Sequence, residues 1–128
     1  MTMDAVRLLE QIVAIPSPSG EEEAVARRLV SCMSDLGLKA CVDGAGNAVG
    51  RRVFPAEDGV VRQTVVLLGH MDTVPGEIPV RIEQGVLYGR GTVDAKGPLA
   101  AFVMAAAQAR LAPGTQLVVI GAVEEEAA

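Results

Sequence analysis

Aromatic side chains are nearly absent from this sequence, which holds one tyrosine, two phenylalanines and no tryptophan in 128 residues. Any core must therefore be aliphatic, and with half of the residues apolar there is enough material to build one. Cations are the minority charge, with 11 Lys and Arg against 16 Asp and Glu for a net −5. No basic patch with interleaved aromatics is available to neutralise phosphates or stack on bases, which argues against a nucleic-acid partner. The two cysteines, Cys32 and Cys41, form no CxxC and no disulfide framework, so a reduced, cytoplasmic chain is expected. The longest apolar stretch, Leu99 to Ala107, is far short of a bilayer span, and no membrane partner is expected. The opening MTMDAVRLLEQ has no continuous apolar stretch of the kind a signal peptide needs. The length fits one domain or less.

What is present alternates between two periodicities. Asp4 to Ile15 carries Val6, Leu8, Leu9, Ile12 and Val13 on one helical face, and Pro16 and Pro18 stop it. Ser19 is placed to cap a second helix, with Glu22 at the capping-box position and Gly37 ending it. Lys39 to Val42 and Asn47 to Val53 read as strands joined by the turn Asp43-Gly44-Ala45-Gly46. Thr64 to Leu68 and Gln116 to Val123 read as strands buried on both faces, Val80 to Ile82 and Val86 to Tyr88 as a hairpin, and Gly97 to Arg110 as a helix opened by Pro98. This alternation predicts an α/β fold: a mostly parallel mixed sheet with helices on both faces. Ligands in such folds bind at the carboxyl ends of the strands.

That rule selects three places. Gly69-His70-Met71-Asp72 holds the one histidine of the chain just past a strand end. In an extended segment His70 and Asp72 share a side, and a carboxylate there can fix the tautomer of a metal-bound imidazole. The plainer reading is a satisfied surface histidine beside a turn aspartate. Asp94 stands in the glycine-rich run Gly89 to Gly97, where it could bridge two metal ions or simply cap the following helix. The run matches neither the Walker pattern nor GxGxxG, so a phosphate loop is weakly supported. Glu124-Glu125-Glu126 follows the last strand. Three adjacent like charges are costly to gather without cations, although a solvated charge run is the commoner arrangement.

At these residues the sequence resembles the co-catalytic zinc metallopeptidases that include acetylornithine deacetylase, succinyl-diaminopimelate desuccinylase, aminoacylase and glutamate carboxypeptidase. Leu68 to Pro75 resembles their first signature, Leu87 to Gly97 the second, and Glu124-Glu125-Glu126 the third; the segment IPSPSGEE matches as well. The resemblance implies a zinc-exopeptidase-like catalytic domain of which residues 1–128 are the incomplete N-terminal portion, with the remainder and a dimerisation domain lying beyond. It implies His70 and Glu126 as ligands of separate zinc ions, Asp94 as the bridge, Asp72 as the group orienting His70, and Glu125 as general base. A one-residue slip in the triplet would make Glu124 the base and Glu125 the ligand. Two zinc ions per site are implied, with cobalt acceptable to the same donors.

The loop wording His70 to Gly76 and Val93 to Ala100 resembles the branch that releases lysine or ornithine from a small acidic amino-group carrier protein in amino-acid biosynthesis. Deacylation of N-acyl amino acids, dipeptide or carboxypeptide cleavage, and a metal-free binding module are the competing expectations. The full-length protein is expected to be a homodimer acting on a small-molecule or carrier-linked amino acid. The 128 residues alone are expected to bind metal poorly and to lack activity.

Overall fold

The computed structural model describes residues 4–127. The first helix, α1 (Ala5–Val13), is capped by the Asp4 carboxylate, which accepts the Arg7 N–H at 2.8 Å, and buries Leu8, Ile12 and Val13. Helix α2 (Glu23–Asp35) buries Val25, Ala26, Leu29, Cys32 and Met33. It starts later than the sequence predicts: Glu22 holds the cap position with no side-chain cap bond, and Ser19 is engaged elsewhere. Gly37, at φ 93, makes the left-handed turn that ends the helix.

Strands β1 (Lys39–Val42) and β2 (Ala48–Phe54) form the expected hairpin, its turn held by Asp43, whose carboxylate accepts the Ala45 and Asn47 amides. Then follow β3 (Gln63–His70), the small hairpin β4 (Arg81–Glu83) and β5 (Val86–Tyr88), α3 (Gly97–Gln108) and β6 (Thr115–Ala122). The main sheet runs β1-β2-β6-β3.

The α/β class and the mixed sheet are as expected, but the parallel share is smaller. Only β3 and β6 run parallel, while β1–β2 and β2–β6 are antiparallel. A parallel pair needs a long crossover, and among the described residues only the β3-to-β6 connection through α3 supplies one. The helices also differ from expectation: α2 and α3 pack on the same face. A Cβ on Gly50 or Gly121 would meet Met33 or Leu29 of α2, and one on Gly69 would meet Leu99 of α3. The register Gly69↔Gly121 and Gly50↔Val119 puts these positions on one side of the sheet. Helix α1 packs on both α2 and α3, so the core lies between the helices and that face. Full burial of Leu8, Ile12, Leu29 and Val103 there contributes roughly 1.5–3 kcal/mol per side chain.

The other face carries Val49, Val53, Val66, Leu68, Val118 and Ile120 and is covered by no helix among the described residues. Strand β3 is therefore not buried on both faces: Val66 is 53% and Leu68 62% exposed. The C-terminus of α3 is tied to the sheet by Arg52, whose guanidinium donates to the carbonyls of Ala106, Ala107 and Ala109 and stacks on Phe54. No helix of the described residues is long and apolar enough to cross a membrane.

Candidate metal centre

Parallel pairing of β3 with β6 does the first positioning. The register sets His70 opposite Ala122, and the Met71 amide donates to the Ala122 carbonyl, so the chain leaving β3 and the chain leaving β6 emerge together. Glu124 then adopts φ 57, the left-handed region that a glutamate rarely occupies, and turns the acidic triplet back toward His70.

Asp94 arrives from a third direction. It lies in the irregular turn Thr92–Lys96, opened by Gly91 at φ 83, where Asp94 and Ala95 leave helical dihedrals and the Asp94–Ala95 peptide is cis. Asp94 does not cap α3, whose cap residue is Lys96 and has no side-chain cap bond. Its carboxylate instead reaches His70, with Oδ1 3.0 Å from Nε2. The same imidazole nitrogen lies 3.5 Å from Glu125 Oε2 and 3.9 Å from Glu126 Oε1. His70, Asp94, Glu125 and Glu126, drawn from three sequence segments, thus meet around one nitrogen.

Asp72 is wholly buried beneath this cluster. Its carboxylate accepts the Glu125 amide at 3.1 Å, the Glu126 amide at 2.8 Å and the Ser19 hydroxyl at 2.6 Å. Burial pushes the Asp72 pKa up, but these three donors more than compensate and hold it below the ordinary carboxylate value. Burial pushes His70 down. The Asp72 backbone oxygen, the Asp94 carboxylate and the charges of Glu125 and Asp72 outweigh it and hold the imidazole above its usual value. Glu126 is raised, by desolvation first and then by the negative charges of Asp94 and Glu125.

Such a set is suited to cations. One ligand atom each from His70, Glu125 and Glu126 lies within 4.8 Å of the others, and Asp94 adds a carboxylate that is 75% exposed. Imidazole plus carboxylates is a donor set that zinc and its neighbours accept, and a cation would relieve the repulsion that raises Glu126. Beside the cluster lies a cavity of about 280 Å³ lined by residues including Thr73, Val74, Arg90, Asp94 and Glu126. Thr73, Val74, Ile78 and Arg90 also line a larger, mostly apolar cavity of about 450 Å³.

The sequence singles out His70, Asp72, Asp94, Glu125 and Glu126 as candidates, and the structure places all five next to one another. The sequence pattern marks Ser19 and Glu22 as helix-capping residues and does not single out Lys96, whereas the structure sets Ser19 and Glu22 against the groups that support the cluster and buries Lys96. Glu22 is buried and its Oε2 accepts the Glu124 amide at 2.7 Å. Lys96 is 1% exposed and donates to the carbonyls of Ile12 and Ile15, both at 2.9 Å. Burial lowers its pKa to about 8.

This fold is shared with solved peptidases. The chain superposes on human carnosine dipeptidase 1 with a TM-score of 0.73 at 23% identity, covering 96% of this chain and 32% of that one. For aminopeptidase PepT from Bacillus cereus the TM-score is 0.71 at 26% identity, covering 96% and 36%. The model of Peptidase family M20/M25/M40 matches residues 66–128, the stretch that contains all three site segments. Among curated relatives, a LysW-lysine hydrolase of Deinococcus radiodurans is 53% identical over 128 residues, covering 96% of this chain and 33% of the relative. The chain spans about a third of the length of the relatives it matches.

Proposed function

We propose that this chain is the N-terminal portion of the catalytic domain of a metal-dependent amide hydrolase that releases lysine or ornithine from an amino-group carrier protein. The observation that carries the reading is the meeting of Asp94, Glu125 and Glu126 carboxylates within 4 Å of His70 Nε2. The substrate class rests on the 53% identity to a LysW-lysine hydrolase. The exposed Val53, Val66 and Leu68 on the sheet's helix-free face and the one-third coverage support a longer catalytic chain.

His70 and Glu126 would each hold one of two zinc ions, with Asp94 between them and cobalt acceptable to the same atoms. When bound, the ions would activate water and stabilise the developing oxyanion. Asp72 keeps the supporting backbone in place. Glu125, whose side chain is 57% exposed and lies 3.5 Å from His70 Nε2, takes the proton from the attacking water and returns it to the leaving amine nitrogen. Full-length protein of this kind would be a cytoplasmic homodimer.

The test is made on the full-length protein. Glu125→Gln keeps the shape but cannot accept a proton, so turnover should fall by roughly 100-fold or more while zinc content stays at the wild-type level. Near-normal rates would remove Glu125 from the role of base. Parallel assays with a lysine-loaded carrier protein, acetylornithine and a dipeptide assign the substrate class. An absence of bound metal together with no hydrolysis would return the chain to a binding module.

A further inference from the structure

Four consecutive backbone amides at the end of β6 are held by side chains from elsewhere. The Val123 amide donates to Asn47 Oδ1 at 3.0 Å, the Glu124 amide to Glu22 Oε2 at 2.7 Å, and the Glu125 and Glu126 amides to the two oxygens of Asp72. None of these is sheet pairing, because β6 ends at Ala122. The conformation of the acidic triplet is thus imposed by side-chain acceptors, and it includes the unfavourable left-handed φ of Glu124.

One of these anchors, Glu22, and the Ser19 hydroxyl that holds Asp72 come from the short segment between α1 and α2. That segment is itself clamped to the strand end: Ser17 Oγ donates to the Met71 carbonyl at 2.8 Å, and the Thr73 amide donates to the Ser17 carbonyl at 2.9 Å. From this fixed base the Ser19 hydroxyl orients the Asp72 carboxylate, and Glu22 takes the first amide of the triplet. We propose that Ser19 and Glu22 are positioning residues for the hydrolytic site, acting through Asp72 and the Glu124 backbone to aim the side chains of Glu125 and Glu126. Neither touches the reacting atoms. Glu22 is 5% exposed with its Oε2 on the Glu124 amide, and a glutamate that served only to solubilise the surface would not be withdrawn from water in this way.

The role assigned to Glu125 and Glu126 rests on the hydrolase reading, so the experiment has one arm that depends on it and one that does not. In full-length, zinc-loaded protein assayed with a lysine-loaded carrier, Ser19→Ala and Glu22→Ala should lower kcat by roughly 10–100-fold and leave KM unchanged. Ser19→Thr restores a hydroxyl and Glu22→Gln an acceptor oxygen, and each should recover most of the loss relative to its alanine variant. In metal-free protein, deuterium uptake by segment 121–128 should speed up in both alanine variants and return toward wild type in the conservative ones. Unchanged uptake overturns the proposal. So does a lower melting temperature with wild-type kcat per folded molecule. If the wild type hydrolyses nothing, the hydrolase reading fails and the uptake arm still decides whether Ser19 and Glu22 set the triplet.

Discussion

The Nδ1 of His70 lies 2.8 Å from the backbone oxygen of Asp72 and 3.4 Å from its carboxylate. A carbonyl oxygen only accepts, so Nδ1 carries a proton, and Nε2 can hydrogen-bond the Asp94 carboxylate 3.0 Å away only as an N–H donor; it would offer a lone pair only to a cation standing between them. The main chain orients the ring, which leaves the carboxylate of the same residue available for the triplet.

That division of labour gives a prediction for Asp72→Asn. The His70 contact to the backbone survives. The amide group, however, offers one acceptor oxygen where two are used, and turns an N–H₂ toward at least one backbone donor. A buried donor left unpaired costs on the order of 1–3 kcal/mol, and loss of such a supporting partner typically costs 10–100-fold in metal affinity or activity. Chemical denaturation and steady-state kinetics of the full-length variant check this, and wild-type values in both would refute the arrangement.

Lys96 belongs to the glycine-rich segment yet faces away from the carboxylates. Its ammonium ties the end of α1 to the start of α3 through Ile12 and Ile15. Lys96→Met retains the apolar stem and strips both carbonyls of their donor, which should lower unfolding free energy by on the order of 1–3 kcal/mol. An unchanged urea midpoint would mean that water replaces the ammonium at no cost.

The two thiols should behave differently. Cys32 is 2% exposed, and burial raises its pKa despite the opposing charge of Arg28, whereas Cys41 is exposed. Thiolate is the reactive form, so iodoacetamide at pH 8 should label Cys41 in the native chain and Cys32 only in denaturant. Because the folded pKa of Cys32 is the higher one, its contribution to stability is complete below the unfolded thiol pKa. It is lost as pH rises through the folded value. Equal labelling rates would place Cys32 outside the core.

Several features were legible in the sequence because their causes are local. The prolines after Ile15, the Asp43 turn, the Gln84-Gly85 hairpin turn with both residues at positive φ, and the alternating apolar patterns each specify an element within its own residues. His70, Asp94 and the triplet could be singled out because acids and a histidine beside predicted strand ends are chemically conspicuous, and the structure places them together. The fate of Ser19 was not legible: a serine before a run of glutamates is a good helix cap locally, but Asp72, far along the chain, binds it instead.

By itself, then, the chain's order of residues determined which segments would be helix or strand and which side chains could do chemistry. The tertiary structure alone decided that β6 inserts between β2 and β3, that the three helices share one face, and that Glu22, Ser19 and Asp72 hold the triplet. The physical reason is range. Helical and strand periodicity act over a few residues, whereas sheet order and buried hydrogen bonds are chosen by which distant segments satisfy one another's donors and apolar surface once the chain is compact.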